Sequence, residues 1–202
     1  MQKVVKVVGH QLYFIKHNTM QLFYTVVNLE GQPNGDPNFS LGGFCSSSIV
    51  PSESMGSVFG GLSEYALEKK KPQYICICLK NVFPHSVKNI LFWLDFDDEQ
   101  YYQCKYRVGF SLPNNRQFEN VPSIFAKPVY VEFDTAHGMN DAIELPNMQP
   151  DDVIGVWFER RINDDNSEVI GRSNPDWLFE NRERTKLKEE WFDIKIKFDE
   201  DK

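Results

Sequence analysis

Cys104, His137 and Asp134 are of the types that make a nucleophile, a base and an orienting carboxylate. A hydrolase needs such groups within hydrogen-bond reach of one another. Ser86 beside His85 offers a second nucleophile and base. Neither set sits in a recognised nucleophile context, and Asp134 and His137 fall in a turn region where polar residues belong anyway. No catalytic residue is assigned. Asp95, Asp97, Asp98 and Glu99 form a carboxylate cluster of the kind that holds calcium at a hairpin tip. The glycine and ligand spacing of a calcium loop are missing, so the cluster reads as solvated turn charge. Gly42-Gly43 is not followed by Gly-Lys-Ser/Thr, which argues against a phosphate loop. Cys76 and Cys78 share one face of a strand, and a Cys-x-Cys pair with no second pair is poor zinc spacing. Together with Cys45 and Cys104 they read as buried thiols of a reducing compartment. No metal and no cofactor are expected. The candidate contact residues are Trp157, Trp177, Phe179 and Arg161. The rings of Trp157 and Trp177 suit a sugar platform, the cover of a second sheet face, or a subunit contact.

The elements that must position these groups are strands. The chain has 202 residues, 41% hydrophobic and 25% charged, which bounds it to one sizeable domain or a domain with an appendage. The aromatic share of 14% is high, with 16 Phe and 8 Tyr, and large flat side chains suit sheet faces and interfaces. A net charge of -7 argues against a nucleic-acid groove, which needs a basic footprint. No apolar run approaches the ~20 residues that span a bilayer. The N-terminal stretch lacks a signal-length apolar core, so the chain is expected to stay in a cytoplasm until something releases it.

Tyr74-Ile-Cys-Ile-Cys-Leu79 is apolar on both faces and reads as a strand covered on both sides. Ile90 to Phe96 follows as its hairpin partner, with Ile90, Phe92, Leu94 and Phe96 on one face. Val153 to Ile162 is a third strong strand, with Ile154, Val156, Phe158 and Ile162 on one face and Trp157, Glu159 and Arg161 on the other. The acidic, proline-rich turn Leu145 to Asp152 precedes it. Further strands are expected at Lys3–Val8, Gln11–Ile15, Met20–Leu29, Tyr106–Phe110, Val129–Phe133 and Ala142–Leu145. Trp191 to Phe198 closes the chain and is expected to pair antiparallel with Val153–Ile162. Short helices are expected over Leu62–Lys71 and Glu180–Glu190. Phe39–Gly61 is Gly- and Ser-rich and reads as an irregular ribbon along the sheet. Ser111–Pro128 is a long polar loop with three prolines. The pattern specifies an all-β fold, an antiparallel β-sandwich of Ig-like or jelly-roll-like form with long loops. Residues 1–30 read as N-terminal strands or an arm, and 31–202 as the sandwich with a polar insertion at 167–190.

Asp36-Pro-Asn-Phe-Ser-Leu-Gly-Gly-Phe-Cys-Ser-Ser-Ser48, Gln73 to His85, Val87 to Leu94, Arg107-Val-Gly-Phe110 and Pro150 to Arg161 form a recurring pattern. It resembles that of small virion structural proteins of tailed bacteriophages: an SLGG segment, a strand ending in Lys-Asn, a VGF-like strand, then an acidic turn before VWFERR. The resemblance covers roughly Asp36 to Ile162 plus the closing strand. The strands before Glu30 and the insertion Ser167–Glu190 have no counterpart in it. It implies a non-enzymatic building block of a phage particle, in the head, neck, tail or baseplate, assembled in the bacterial cytoplasm. Its partners would be other virion proteins and copies of itself, with no nucleic acid and no membrane. A carbohydrate- or receptor-binding module of the same architecture is the alternative.

Overall fold

The computed structural model describes residues 3–7, 20–51, 58–59, 70–96, 104–162 and 192–200. In chain order its strands are β1 (Lys3–Val7), β2 (Met20–Val26), β3 (Phe44–Ile49), β4 (Gln73–Asn81) and β5 (Val87–Phe96), followed by β6 (Cys104–Ser111), β7 (Ile143–Leu145), β8 (Val153–Ile162) and β9 (Phe192–Glu200). They form an all-β sandwich of two antiparallel sheets, one ordered β1-β9-β5-β7 and the other β3-β2-β4-β8-β6. The helical segments among the described residues are two single 3-10 turns, Pro37–Phe39 and Met139–Asp141.

The main core lies between the sheets. Ile75, Ile77 and Leu79 of β4 and Ile154, Val156 and Phe158 of β8 meet Phe92 and Leu94 of β5 and Ile196 and Phe198 of β9. Each such side chain contributes roughly 1.5–3 kcal/mol by leaving water. The larger sheet is also covered on its other face. Tyr74, Cys76 and Cys78 of β4 and Val153 and Trp157 of β8 pack there against Phe118, Val121, Val131 and Phe133. Every residue of β4 except Lys80 is therefore buried, as the two-faced apolar run required.

Several pairings differ from the sequence reading. β9 joins the sheet opposite β8, between β1 and β5, where Phe192, Ile194, Ile196 and Phe198 line up with Phe96, Leu94, Phe92 and β1. Alternation specifies which face of a strand is apolar, and either sheet satisfies it. β9 is thus an interior strand and offers no free edge. β4 and β5 belong to opposite sheets, so Val82–Ser86 is a crossover between them. Val129–Phe133 makes no ladder. Val131 and Phe133 still point inward while Val129, Tyr130 and Glu132 point out, so the alternation is that of a covering segment. The Gly- and Ser-rich ribbon contains an edge strand, β3, paired to β2 across a register shift between Phe23 and Thr25. The expected strand at Gln11–Ile15, the helix at Glu180–Glu190 and nearly all of the helix at Leu62–Lys71 lie outside the described residues.

The cysteines also depart from expectation. Cys45 of β3 and Cys78 of β4 form a disulfide, with Cα atoms 5.5 Å apart, while Cys76 and Cys104 are buried and stand outside that bond. β3 and β4 flank β2, and strands two apart in a flat sheet would sit roughly 9–10 Å from one another. The shift in the β2–β3 register curls β3 over the sheet and brings its Cys45 to Cys78. The expectation that all four cysteines are buried thiols is thereby corrected for Cys45 and Cys78, which meet across 33 residues of chain.

Alkylation of the denatured, unreduced protein is expected to label two thiols, and four after reduction. Removing the bond by Cys45→Ala with Cys78→Ala should cost about 3–4 kcal/mol of stability in urea unfolding, from the chain entropy a 33-residue loop regains. Four labelled thiols without reductant would exclude the bond.

Candidate functional site

The groups considered for hydrolysis are each held by the scaffold. His137 brings Nε2 to 2.9 Å from the Tyr106 carbonyl, which fixes that nitrogen as a donor, and its ring meets Phe96 edge-on at 4.5 Å. Cys104 is buried in the core between the sheets. Asp134 exchanges both backbone hydrogen bonds with Val108 at the free edge of β6 and keeps its side chain in solvent. Segment 134–138 also pairs with Leu94 of β5, so it sews the open side of the sandwich shut. Ser86 Oγ donates to Gln149 Oε1 at 2.7 Å, and His85 stacks on Phe83 with Nε2 3.3 Å from Glu200 Oε2. Asp95 lies 3.4 Å from Lys195 Nζ, and Asp97, Asp98 and Glu99 fall outside the described residues.

Trp157 is fully buried beneath Phe118, with its Nε1 donating to Ser111 Oγ at 3.2 Å. It covers the sheet face and cannot serve as a sugar platform. Trp177 and Phe179 lie outside the described residues. Arg161 is half-exposed and donates to Glu159 Oε1 at 2.7 Å.

That carboxylate centres a charged cluster the sequence reading did not find. Glu159 is fully buried. Its Oε1 also accepts from the Tyr74 hydroxyl at 2.9 Å, and its Oε2 accepts from Arg107 Nε on the neighbouring strand β6. Burial acts to raise the Glu159 pKa, but the hydrogen bonds from Arg107, Arg161 and Tyr74 together outweigh it and hold the carboxyl below its ordinary value. The Tyr74 hydroxyl is pushed up to about 12, first by burial and then by the adjacent carboxylate. The buried carboxylate spends both oxygens on these three donors, so it is held as a structural ion and not directed at a cleft. The cluster locks β4, β8 and β6 in register. The direct pairing of Arg107 with Glu159 is the signal that could have revealed it, given the strand order.

The motif residues perform similar work. Asn81, fully buried at the end of β4, donates from Nδ2 toward the carbonyls of His85, Met148 and Gln149 at 3.0, 3.2 and 3.0 Å, and accepts from Phe83 N at 2.9 Å. It thereby joins the crossover after β4 to the acidic turn before β8. Gly42 has φ +88, and a Cβ there would overlap the Glu119 carbonyl of the covering segment. Gly109 and Gly155 have no such backbone demand. They clear room on the sheet for Val131–Glu132 and for Phe118. Ser40, also fully buried, accepts from Thr25 N at 2.7 Å and donates to the Cys76 carbonyl at 2.6 Å.

One concave surface lies on the outside of this cover. It is an open groove of about 510 Å³ lined by Ser111, Leu112, Asn114, Asn115, Gln117, Phe118, Glu119, Asn120 and Tyr130. Residues 114–117 form a tight turn closed by backbone hydrogen bonds of 2.9 and 3.0 Å, with Asn115 and Arg116 both at positive φ. Arg116 ties that turn to Glu30 at 2.7 Å. Glu119 Oε1 and Oε2 accept from the backbone N–H groups of Val129 and Tyr130, and Tyr130 is 85% exposed.

Three variants test these assignments. Glu159→Gln should cost about 2 kcal/mol at pH 7, the scale of a buried charged hydrogen-bond set. Because the folded pKa is depressed, this contribution is present above the ordinary value of 4.5 and is lost as pH falls through the folded value. The gap between wild type and variant in urea midpoint should therefore close at acid pH, and a gap that persists there would contradict the assignment. Gly42→Ala should lose about 3 kcal/mol, from strain at positive φ and from overlap. Gly31→Ala, at φ +78 with open space around it, should lose only about 1 kcal/mol. Equal losses would sink the close-approach argument. No protein-family model, curated protein or solved structure matches the chain.

Proposed function

We propose that the protein is a non-enzymatic structural subunit of a tailed-bacteriophage virion, assembling through contacts with other virion proteins and with copies of itself. One observation carries the reading. The residues that make up the phage-like pattern are consumed by architecture: Ser40 and Gly42 seat the cover, Asn81 joins two turns, Gly109 and Gly155 make room, and Glu159 is neutralised by Arg107 and Arg161. A pattern built for catalysis would leave a nucleophile, a base or a donor pair directed at a cleft. Here the pattern encodes a shell. On this reading the Cys45–Cys78 disulfide would persist only after the particle leaves the reducing cytoplasm in which it is assembled.

The edges of the sandwich fit a subunit that must remain soluble before it assembles. β6 is capped by Asp134, β7 has three residues, and β3 is bonded along its side by Gly31 and Gln32. These devices restrain sheet-to-sheet aggregation and direct contacts to loops and faces.

Quantitative mass spectrometry of purified particles, with light scattering on the isolated protein, tests the proposal. The expected result is a fixed multiple of copies per particle, retained through density-gradient purification. A protein abundant in the infected cell yet absent from purified particles would contradict it.

A further inference from the structure

The geometry points to the groove between the 114–117 turn and Tyr130 as a binding site for a neutral oligosaccharide. This inference rests on the groove and stands apart from particle assembly. Four side-chain amides, on Asn114, Asn115, Gln117 and Asn120, line it with the Tyr130 ring, and no Lys or Arg does. Within the described residues none of these amides, nor the Tyr130 hydroxyl, is tied down by a side-chain hydrogen bond. An amide carries a donor pair and an acceptor on one planar group, which matches hydroxyls that both donate and accept. The C–H face of a pyranose is apolar and packs on a flat aromatic ring. An amide-rich wall beside one open tyrosine therefore fits a sugar better than it fits an acidic or basic ligand. Glu119 keeps one negative charge in the lining, but both its oxygens accept backbone N–H groups of Val129 and Tyr130, which directs the carboxylate into the groove's own wall.

The groove is also rigid, which is what a weak polar ligand requires. Its floor is Phe118, buried in the cover and hydrogen-bonded through its N–H to the Gly43 carbonyl at 2.6 Å. Ser111 at one wall is fixed by Trp157 below it. The turn at Asn115 and Arg116 is closed on itself and tied to Glu30, and the Glu119 carboxylate holds the backbone that carries Tyr130. The volume, about 510 Å³, lies in the range of small-ligand sites and is open enough for a chain of sugar rings to pass through.

The test is an array of neutral oligosaccharides built from glucose, galactose, mannose and N-acetylglucosamine, with sialylated and sulfated glycans alongside. Hits are then titrated by calorimetry. Binding of at least one neutral oligosaccharide is expected. Tyr130→Ala should weaken it about tenfold, and Asn120→Ala or Gln117→Ala several-fold, with urea midpoints unchanged because all three side chains are exposed. Absence of any neutral hit at millimolar concentration would overturn the proposal. So would hits confined to acidic glycans, or a neutral hit whose affinity survives Tyr130→Ala. If Tyr130→Ala instead blocked incorporation into particles while no glycan bound, the groove would be a protein contact.

Discussion

A strand buried on both faces has no solvent side on which to place an error, and β4 and β8 are both of this kind. Their inner side chains pack against β5 and β9, and their outer ones lie under an irregular cover of residues 118–133. Irregular backbone on a sheet creates a problem, because its N–H and C=O groups lose water without gaining a ladder. The structure answers it locally. Phe118 N bonds to Gly43 O, Val121 N to Leu41 O, and Tyr74 N to Ile124 O, so the cover is tied to chain on each flank. Glycines at 42, 109 and 155 permit the approach that those bonds need. The buried Glu159 fits the same constraint. A lone carboxylate at that depth would be strongly unfavourable, and two guanidinium groups with a hydroxyl offset the desolvation.

From that constraint the functional reading follows in two steps. Among the described residues, the Glu159 carboxylate and the Asn81 amide are spent on partners inside the fold. On the outer surface of the cover, four neutral amides and the Tyr130 ring line a groove. On the proposed reading, the interior of the molecule is construction and its outward chemistry is recognition. A particle subunit with an amide-lined groove would combine the two.

Some of this was legible in the sequence and some was not. The double burial of β4 was readable from Tyr74 to Leu79, because an apolar run with no polar phase has only one strand environment that suits it. The face parity of β8 was readable too, although Trp157 on its second face proved to be cover-facing and not open. Partner choice was not readable. Phe192, Ile194, Ile196 and Phe198 specify an apolar face, and nothing local tells that face to join β5 in place of β8. The same limit hid the disulfide, since Cys45 reaches Cys78 only after β3 curls across β2. The groove was hidden for a different reason. Asn114, Asn115, Gln117 and Asn120 look like ordinary loop polarity until the Gly42 and Glu119 contacts fix the loop's shape.

The central claim is that the larger sheet is sealed on both faces and that the 118–133 cover is part of the core. Hydrogen–deuterium exchange followed by mass spectrometry tests it most directly. Peptides from β4 and β8 should exchange only through global unfolding, with the hydrogen-bonded amides of Phe118 and Val121 close behind, and the exposed turn at Asn115 and Arg116 should exchange fastest. If β4 exchanged as fast as that turn, or if Phe118 and Val121 opened freely while β4 stayed closed, the cover would be a loose surface loop and the account would fail.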